Sequence, residues 1–415
     1  MRIVFIADAR SPIARNWISY YTGRGHDVHV ISTYPCAPDV LPGAALTEVP
    51  IAFAGLSKVK HDGTIGDAKR RSLLTPVLAS LRSGPGAKWV RAARHVLAPL
   101  EVNRHVEKIR GIIKQVSPDI VHAMRVPFEG IVAAKAGSTA GAPLLISVWG
   151  NDFTLFAQRG GLVGRYTRAA MRAADALHCD CERDLRLARG WGFDSRKPAI
   201  VLPGAGGIQG GMFSRQGSVA GLRESLRIPP SALVVINPRG FRDYVRNDVF
   251  FQALPGVLKE HPEAVFVCLA MQGNAVAARW AESLSVERNV RLLPSVTREQ
   301  MADLFRLSAV TVSPSLHDGT PNTLLEAMAC GCFPVAGDIE SIREWIEDGV
   351  NGLLFDPRDP DALSRAVSRA LADAPLRESA AERNLRLIEA RASYDKVMAT
   401  SEEFYQRVIT EAARG

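Results

Sequence analysis

Cysteine is scarce. Six residues, Cys36, Cys179, Cys181, Cys268, Cys330 and Cys332, in a chain of 415 fall far below the density of a disulfide scaffold, and most lie in apolar runs such as AVFVCLA. Buried thiols in a reducing compartment are therefore expected. Two pairs have C-x-C spacing, but no C-x2-C with a matching second half follows, so no zinc site and no other metal is invoked. Long apolar runs are also missing: no stretch of 18 residues is apolar enough for a membrane span. The start, MRIVFIADARSP, enters a strand within two residues and lacks a cationic region followed by a long apolar one, so no signal peptide is expected. What remains is 47% apolar and 23% charged, the balance of folded globular domains, which excludes extensive disorder and fibrous repeats.

A uniform excess of positive charge is absent too. The formal net charge is +8, but residues 58 to 114 hold 13 of the 51 Lys/Arg and only 4 of the 43 Asp/Glu, leaving 38 cations against 39 acids elsewhere. One segment is basic and the rest is near neutral. With no recognised nucleic-acid motif, a nucleic-acid partner is not expected. The segment KVKHDGTIGDAKRRSLLTPVLASLRSGPGAKWVRAARHVLAPLEVNRHVEKIR mixes cations with Trp89, Leu and Val, which suits an anionic membrane surface; a solvated loop and helix face is the alternative.

Short apolar runs alternate with helix-period segments through most of the chain. RIVFIA (2 to 7), DVHVIS (27 to 32), DIVHAM (119 to 124), PLLISVW (143 to 149), ALHC (176 to 179) and AIVL (199 to 202) read as strands apolar on both faces, as in a parallel sheet covered on both sides. Residues 204 to 217, GAGGIQGGMFSRQG, carry six glycines and no periodicity, the signature of a linker. Alternation then restarts with strands expected at 232 to 237, 264 to 270, 290 to 294, 309 to 313, 332 to 337 and 351 to 355, and the chain after Pro360 reads as helices near 360 to 373, 375 to 391 and 396 to 413. The expected architecture is α/β: a Rossmann-like domain over 1–203, a hinge at 204–217, a second Rossmann-like domain over 218–390, and a terminal helix over 391–415 crossing back to the first. Sheets of this kind bind ligands at the carboxyl ends of their strands.

The densest chemical signal is SPSLHDGTPNTLLEAMACGCFPVAG, residues 313 to 337. It reads strand, polar loop, helix and strand. Pro321 suits the first helical position, and the loop N–H groups of Gly319, Thr320, Asn322 and Thr323 with the helix start make an anion site fit for a diphosphate. Asp318 in the loop and Glu326 in the helix flank it, and a carboxylate can take two sugar hydroxyls as donors. The alternative is that Asp318 caps the helix and Glu326 is solvated. His317 adjoins Asp318 and is a candidate sugar contact. His122 and His178 lie in apolar strands and are expected to be satisfied core histidines. Asp359-Pro360-Asp361 is a D-x-D tripeptide, but its position before a helix points to a cap.

This segment resembles the signature of the family 4 retaining glycosyltransferases of the GT-B fold, in which two acidic residues separated by seven others precede an A-M-A-x-G-x-P-V run. Asp318 takes the first acidic position, where Glu is more usual, and Glu326 the second. ADALHCDCERDLRLARGWGF, VLPGAGGIQGGMF and IREWIEDGVNGLLFDPRDPDALSRAV are similar to further family segments, and the opening to the first unit of a bacterial subgroup. Nearly the whole chain is covered, residues 55 to 100 least. The resemblance implies two facing Rossmann-like domains, with Glu326 on the nucleotide ribose and Asp318 near the donor sugar. It also implies diphosphate ligands on NPRGFRDYVRND: Arg239 matches the family Arg, Arg246 stands where Lys is usual, and Arg242 is placed to share the role. In SVWGNDF, Trp149 replaces the family His while Asp152 is retained as the candidate for orienting donor or acceptor, its alternative being a helix cap. Arg10, Ser11 and Arg15 are candidate phosphate contacts.

The implied reaction is transfer of a hexose from a UDP- or GDP-type sugar to a hydroxyl with retention of anomeric configuration, without cofactor, in cell-envelope polysaccharide or glycolipid synthesis. The expected setting is cytoplasmic, with peripheral attachment at the inner face of the membrane through the basic segment. Domain closure about the hinge is expected to exclude water. The rival readings are a nucleotide-sugar epimerase of the same fold and a non-catalytic basic binding protein.

Overall fold

The computed structural model describes residues 1–52, 54, 101–137, 141–157 and 161–414. The basic segment therefore lies mostly outside the described residues, as do Trp89 and the Lys69-Arg70-Arg71 run. The chain forms two compact units, Met1–Gly206 with Met398–Gly415, and Gly207–Val397.

The first unit holds β1 (Arg2–Ala7), β2 (Asp27–Ser32), β3 (Ala45–Glu48), β4 (Ile120–Ala123), β5 (Leu144–Val148), β6 (Ala176–Cys179) and β7 (Ala199–Val201). They form one parallel sheet in the order β3-β2-β1-β4-β5-β6-β7. β4 and β5 are buried along their whole length, which is why their runs of Val, Ile and Leu do not alternate with polar residues. The order reverses between β1 and β4, so the loops leaving those two strands open side by side at the carboxyl edge, the place such sheets keep for ligands.

The second unit repeats the plan with β8 (Val234–Asn237), β9 (Val265–Cys268), β10 (Val290–Leu292), β11 (Val310–Ser313), β12 (Phe333–Gly337) and β13 (Leu353–Phe355), ordered β10-β9-β8-β11-β12-β13 and all parallel. Its reversal lies between β8 and β11. The glycine-rich stretch is where the chain passes between units, and from Gly207 on it packs into the second: Ile208 and Phe213 are buried in its core, and Arg306 donates to Ser214 O at 2.9 Å. Ile208 N donates to Ala392 O at 2.6 Å and Tyr394 N to Ile208 O at 3.0 Å, pairing the outgoing and returning segments. Gly207 is required there: its φ is +88°, and a Cβ would lie 2.5 Å from Ala392 O.

The last helix, Tyr394–Ala412, enters the first unit at Met398 and completes its core. Tyr405 is the head of a buried polar chain that crosses three strands. His178 Nε2 lies 2.9 Å from Leu202 O; a carbonyl only accepts, so Nε2 carries the proton and Nδ1 accepts from Ser147 Oγ at 2.8 Å. Ser147 Oγ has then given its proton and accepts from His122 Nε2 at 2.7 Å. His122 Nδ1 accepts from the Tyr405 hydroxyl, which accepts from Trp17 Nε1 at 3.1 Å. With both imidazoles neutral, that one carbonyl fixes every tautomer in the chain. Burial agrees, holding His122 well below the usual histidine range and His178 at about 4. Both are satisfied core histidines. All six cysteines are free and five are buried, and Asp359 caps the helix Pro360–Ala372 by accepting from Asp361 N and Ala362 N. No helix among the described residues is long and apolar enough to cross a membrane.

Candidate active site

In the second unit the strand reversal brings the loop after β8 beside the loop after β11. A short antiparallel rung joins them: Val245 pairs with Ser315, Arg246 N donates to Pro314 O at 2.7 Å, and Leu316 N to Tyr244 O at 2.8 Å. The approach from the β12 side is equally close, since a Cβ on Gly337 would lie 2.7 Å from Ser315 O. At the root of the first loop, buried Asn237 donates to Asn247 Oδ1 at 2.8 Å and accepts from Arg239 N at 3.1 Å.

This framework joins the two leading candidates. Arg239 donates to Asp318 Oδ2 at 2.8 Å, both side chains nearly buried, and to the Tyr244 hydroxyl at 3.4 Å. The other oxygen of Asp318 accepts from Gly319 N at 3.2 Å. The loop is pinned from behind by Ser341 Oγ, which donates to Asp318 O at 2.8 Å, and by Trp345 Nε1, which donates to Thr320 Oγ1 at 3.1 Å. Gly319, Thr320 and Pro321 are buried, whereas His317, Asn322 and Thr323 are half-buried. Pro321 sits one position earlier than expected: it is the extended N-cap residue (ψ 112°) of the helix Asn322–Ala329 and offers no side-chain cap of its own. A proline at the N-cap has no side-chain acceptor for the first N–H groups of the helix, which suits an anion site.

Arg246 stands at the N-cap of the helix Asn247–Glu260 and forks onto Asp248 at 2.8 and 2.7 Å, at the rim of the same loop, while Arg242 is exposed. Glu326 is not solvated. Its side chain is 12% exposed and accepts from Arg298 at 3.3 Å. Burial pushes its carboxyl above the usual range, and Arg298 opposes that shift.

In the first unit the corresponding edge carries Asp152, whose carboxylate is fully buried. It accepts from Arg125 Nε at 2.9 Å, from Val126 N at 3.2 Å and from Trp149 N at 3.2 Å. It therefore ties the loop after β5 to the loop after β4 instead of capping a helix. Burial still raises its carboxyl above the ordinary range, against Arg125. The Arg125 guanidinium also lies 4.8 Å from the Phe156 ring centre. Glu129 accepts from Thr33 Oγ1 at 2.7 Å, and burial pushes it up to about 6. Behind this loop Arg183 donates to Gly150 O at 2.7 Å and to Asp184 at 2.8 Å, and Gly150 N donates to Asp180 at 3.4 Å. Asp180, Cys181 and Asp184 bring three ligand-type atoms within 4.8 Å of one another, all buried; the Arg183–Asp184 pair already occupies that network. Trp149 Nε1 is buried without a hydrogen-bond partner.

Arg10 forks onto Asp8 at 2.9 and 3.0 Å and lies 3.9 Å from the Tyr34 ring centre. Ser11 caps the helix Pro12–Gly23, and Arg15 is exposed. The sequence reading did not single out Arg125 or Arg298. Position was the available signal: Arg125 is the second residue past β4, at the reversal, and Arg298 follows the Thr297 cap of its helix.

Residues 11–204 match the family described as "Glycosyl transferase 4-like domain", and residues 220–386 that described as "Glycosyl transferases group 1". Among curated proteins the chain is 27% identical over 254 residues to the D-inositol 3-phosphate glycosyltransferase of Streptomyces bingchenggensis, covering 59% of this chain and 54% of that one. It is 28% identical over 250 residues to D-inositol 3-phosphate glycosyltransferase 2 of Catenulispora acidiphila, covering 58% and 57%. The chain thus spans little more than half the length of the curated relatives it matches. Among solved structures it is similar to Anabaena HepE in complex with UDP (TM-score 0.73, 16% identity, 98% of this chain and 100% of that one). It is also similar to sucrose-phosphate synthase from Thermosynechococcus elongatus (TM-score 0.73, 14% identity, 99% and 100%). At these identities the likeness shows the fold, two parallel α/β domains of the GT-B kind.

Proposed function

We propose, for a chain that belongs to the GT4-type glycosyltransferases, that it transfers a hexose from a nucleoside-diphosphate sugar to a hydroxyl acceptor with retention of anomeric configuration. The observation that carries this reading is the Arg239–Asp318 pair at the strand reversal of the second unit, set against a helix start whose N-cap residue is a proline. Departure of a nucleoside diphosphate leaves negative charge on the phosphate and positive charge on the sugar ring. Arg239, Arg246 and the N–H groups of Thr320, Asn322 and Thr323 supply fixed positive potential for the first, and Asp318 a carboxylate for the second. Asp318 acts by charge and positioning, and the leaving phosphate takes the acceptor's proton. Glu326 receives the ribose hydroxyls, His317 and Arg242 contact the donor, and Asp152, fully buried, acts in the first unit through the two loops it ties together.

The donor is a UDP- or GDP-type sugar; the complexes of Anabaena HepE with UDP and with UDP-glucose support the first. The curated relatives are named for a phosphorylated inositol acceptor. The acceptor here belongs to cell-envelope glycan or glycolipid synthesis, reached at the cytoplasmic face of the membrane through residues 58 to 114.

A thermal-shift screen against UDP-, GDP-, ADP- and dTDP-sugars, repeated with Glu326→Ala, tests the donor. One donor class should raise the melting temperature of the parent and leave the variant unmoved; no response to any of the four counts against transfer. With the selected donor, proton NMR of the product reports whether the anomeric configuration is kept. Flotation with anionic liposomes at low salt tests the membrane arm, and binding unchanged by replacing Lys69, Arg70 and Arg71 removes it.

A further inference from the structure

Arg298 is the first residue of the helix Arg298–Leu307, directly after the Thr297 and Gln300 capping box. A cation in the first turn faces the positive end of the helix dipole, where acids are preferred. Two contacts explain its orientation. Its guanidinium donates to Glu326 at 3.3 Å, and it lies 5.2 Å from the ring centre of Phe213, a buried residue of the segment entering the second unit. The Phe213 ring and the Glu326 carboxylate thus hold the guanidinium between them.

Resting on the reading of Glu326 as the ribose acceptor, we propose that Arg298 is a positioning residue for nucleoside-diphosphate binding: it holds Glu326 ionised and aimed, and touches no substrate itself. A ribose diol donates two hydrogen bonds, and only an ionised carboxylate accepts both without offering a proton of its own. Burial works against that charge state at Glu326, and Arg298 is the cation that opposes it. Among the described residues, the other titratable group beside Glu326 is Cys330 on its own helix. That thiol is pushed up to about 12 by burial, so it is neutral, with Arg306 and Asp303 of the Arg298 helix acting on it. Tyr394, at the start of the last helix, faces Arg298 and is also kept protonated by burial. Among the described residues, Arg298 is the cation that acts on Glu326.

The test is calorimetric titration of the full chain with UDP and with GDP at pH 8 and pH 6, which needs no acceptor and no turnover. Glu326→Gln should weaken the diphosphate that binds by at least about tenfold at pH 8. Arg298→Met should weaken it about fivefold at pH 8 and by a larger factor at pH 6, because losing the cation lets the buried carboxyl take up a proton at higher pH. Arg298→Lys should recover part of both losses, and Arg298→Met should add less than about twofold on the Glu326→Gln background. Independent, multiplicative effects of the two substitutions, or a loss with Arg298→Met that is the same at both pH values, overturn the positioning role while leaving Glu326 as the ribose acceptor. Unchanged binding in Glu326→Gln removes the ribose reading and this proposal together.

Discussion

The two units place acids and arginines at the same edge of the same kind of sheet and use them differently. In the first, the Asp152 carboxylate is wholly enclosed and shared among Arg125 and two backbone N–H groups from two loops. In the second, Arg239–Asp318, Arg246–Asp248 and Arg298–Glu326 are side-chain pairs that each keep some exposure. An enclosed, multiply bonded carboxylate is part of what holds its loops together, whereas a paired arginine at a rim can turn to a phosphate with little loss elsewhere. The same residue types thus hold loops together in one unit and, on the proposed reading, meet the donor in the other.

Asp152→Ala is the sharpest way to break that contrast. It strands the Arg125 charge and two N–H groups, so the first unit should lose about 3–5 kcal/mol, with transfer activity falling alongside; urea unfolding and initial rates measure both. An unchanged unfolding midpoint would put Asp152 in the second unit's category. Arg239→Ala should lower kcat by about 10²–10³ and, because it strands the nearly buried Asp318 carboxylate, also lower the melting temperature, by less than Asp152→Ala, which strands two N–H groups as well.

Two pH titrations sharpen the comparison further. His178 is held at about 4 when folded against an ordinary value near 6.5, so the folded state binds fewer protons between those values. Its contribution is complete above about pH 6.5, and it is lost as pH falls toward 4. The stability difference between parent and His178→Gln should shrink over that window by on the order of 3 kcal/mol. Glu129, raised to about 6 by burial, has the opposite sign: the folded state binds more protons between about 4.5 and 6. The parent should lose on the order of 2 kcal/mol relative to Glu129→Gln as pH rises through that window. The smallest effect is expected from Arg246→Lys. A lysine keeps the charge at a rim position, so KM for the donor should change less than about fivefold; a larger loss would show that the planar fork itself is needed.

What the sequence made legible was local. Runs such as RIVFIA and AVFVCLA marked strands because their residues are buried on both faces, and Asp359 was readable as a cap because its partners are two and three residues away. β3 was missed: Ala45–Glu48 is four residues long, half polar, and sits at the sheet edge, so it carries neither periodicity nor a sustained apolar run. The acid pair Asp318 and Glu326 stood out by spacing, but their partners did not. Asp318 meets Arg239 79 residues away and Glu326 meets Arg298 28 residues away, distances over which one sequence has no pattern to show. The polar chain from Tyr405 to His122 spans 283 residues and is equally silent until the sheet is assembled.

The return of the last helix to the first unit bears on the order in which the protein can be made. During synthesis the second unit has all its residues once Val397 has left the ribosome, but the first, whose sheet precedes it in the chain, still lacks residues 398–414 at that point. Until then Trp17, Tyr21 and His122 have neither Tyr405 nor Ser401 to close over them. The domain that starts first is thus the one that finishes last, and its open apolar and polar groups are what a chaperone would meet on the nascent chain.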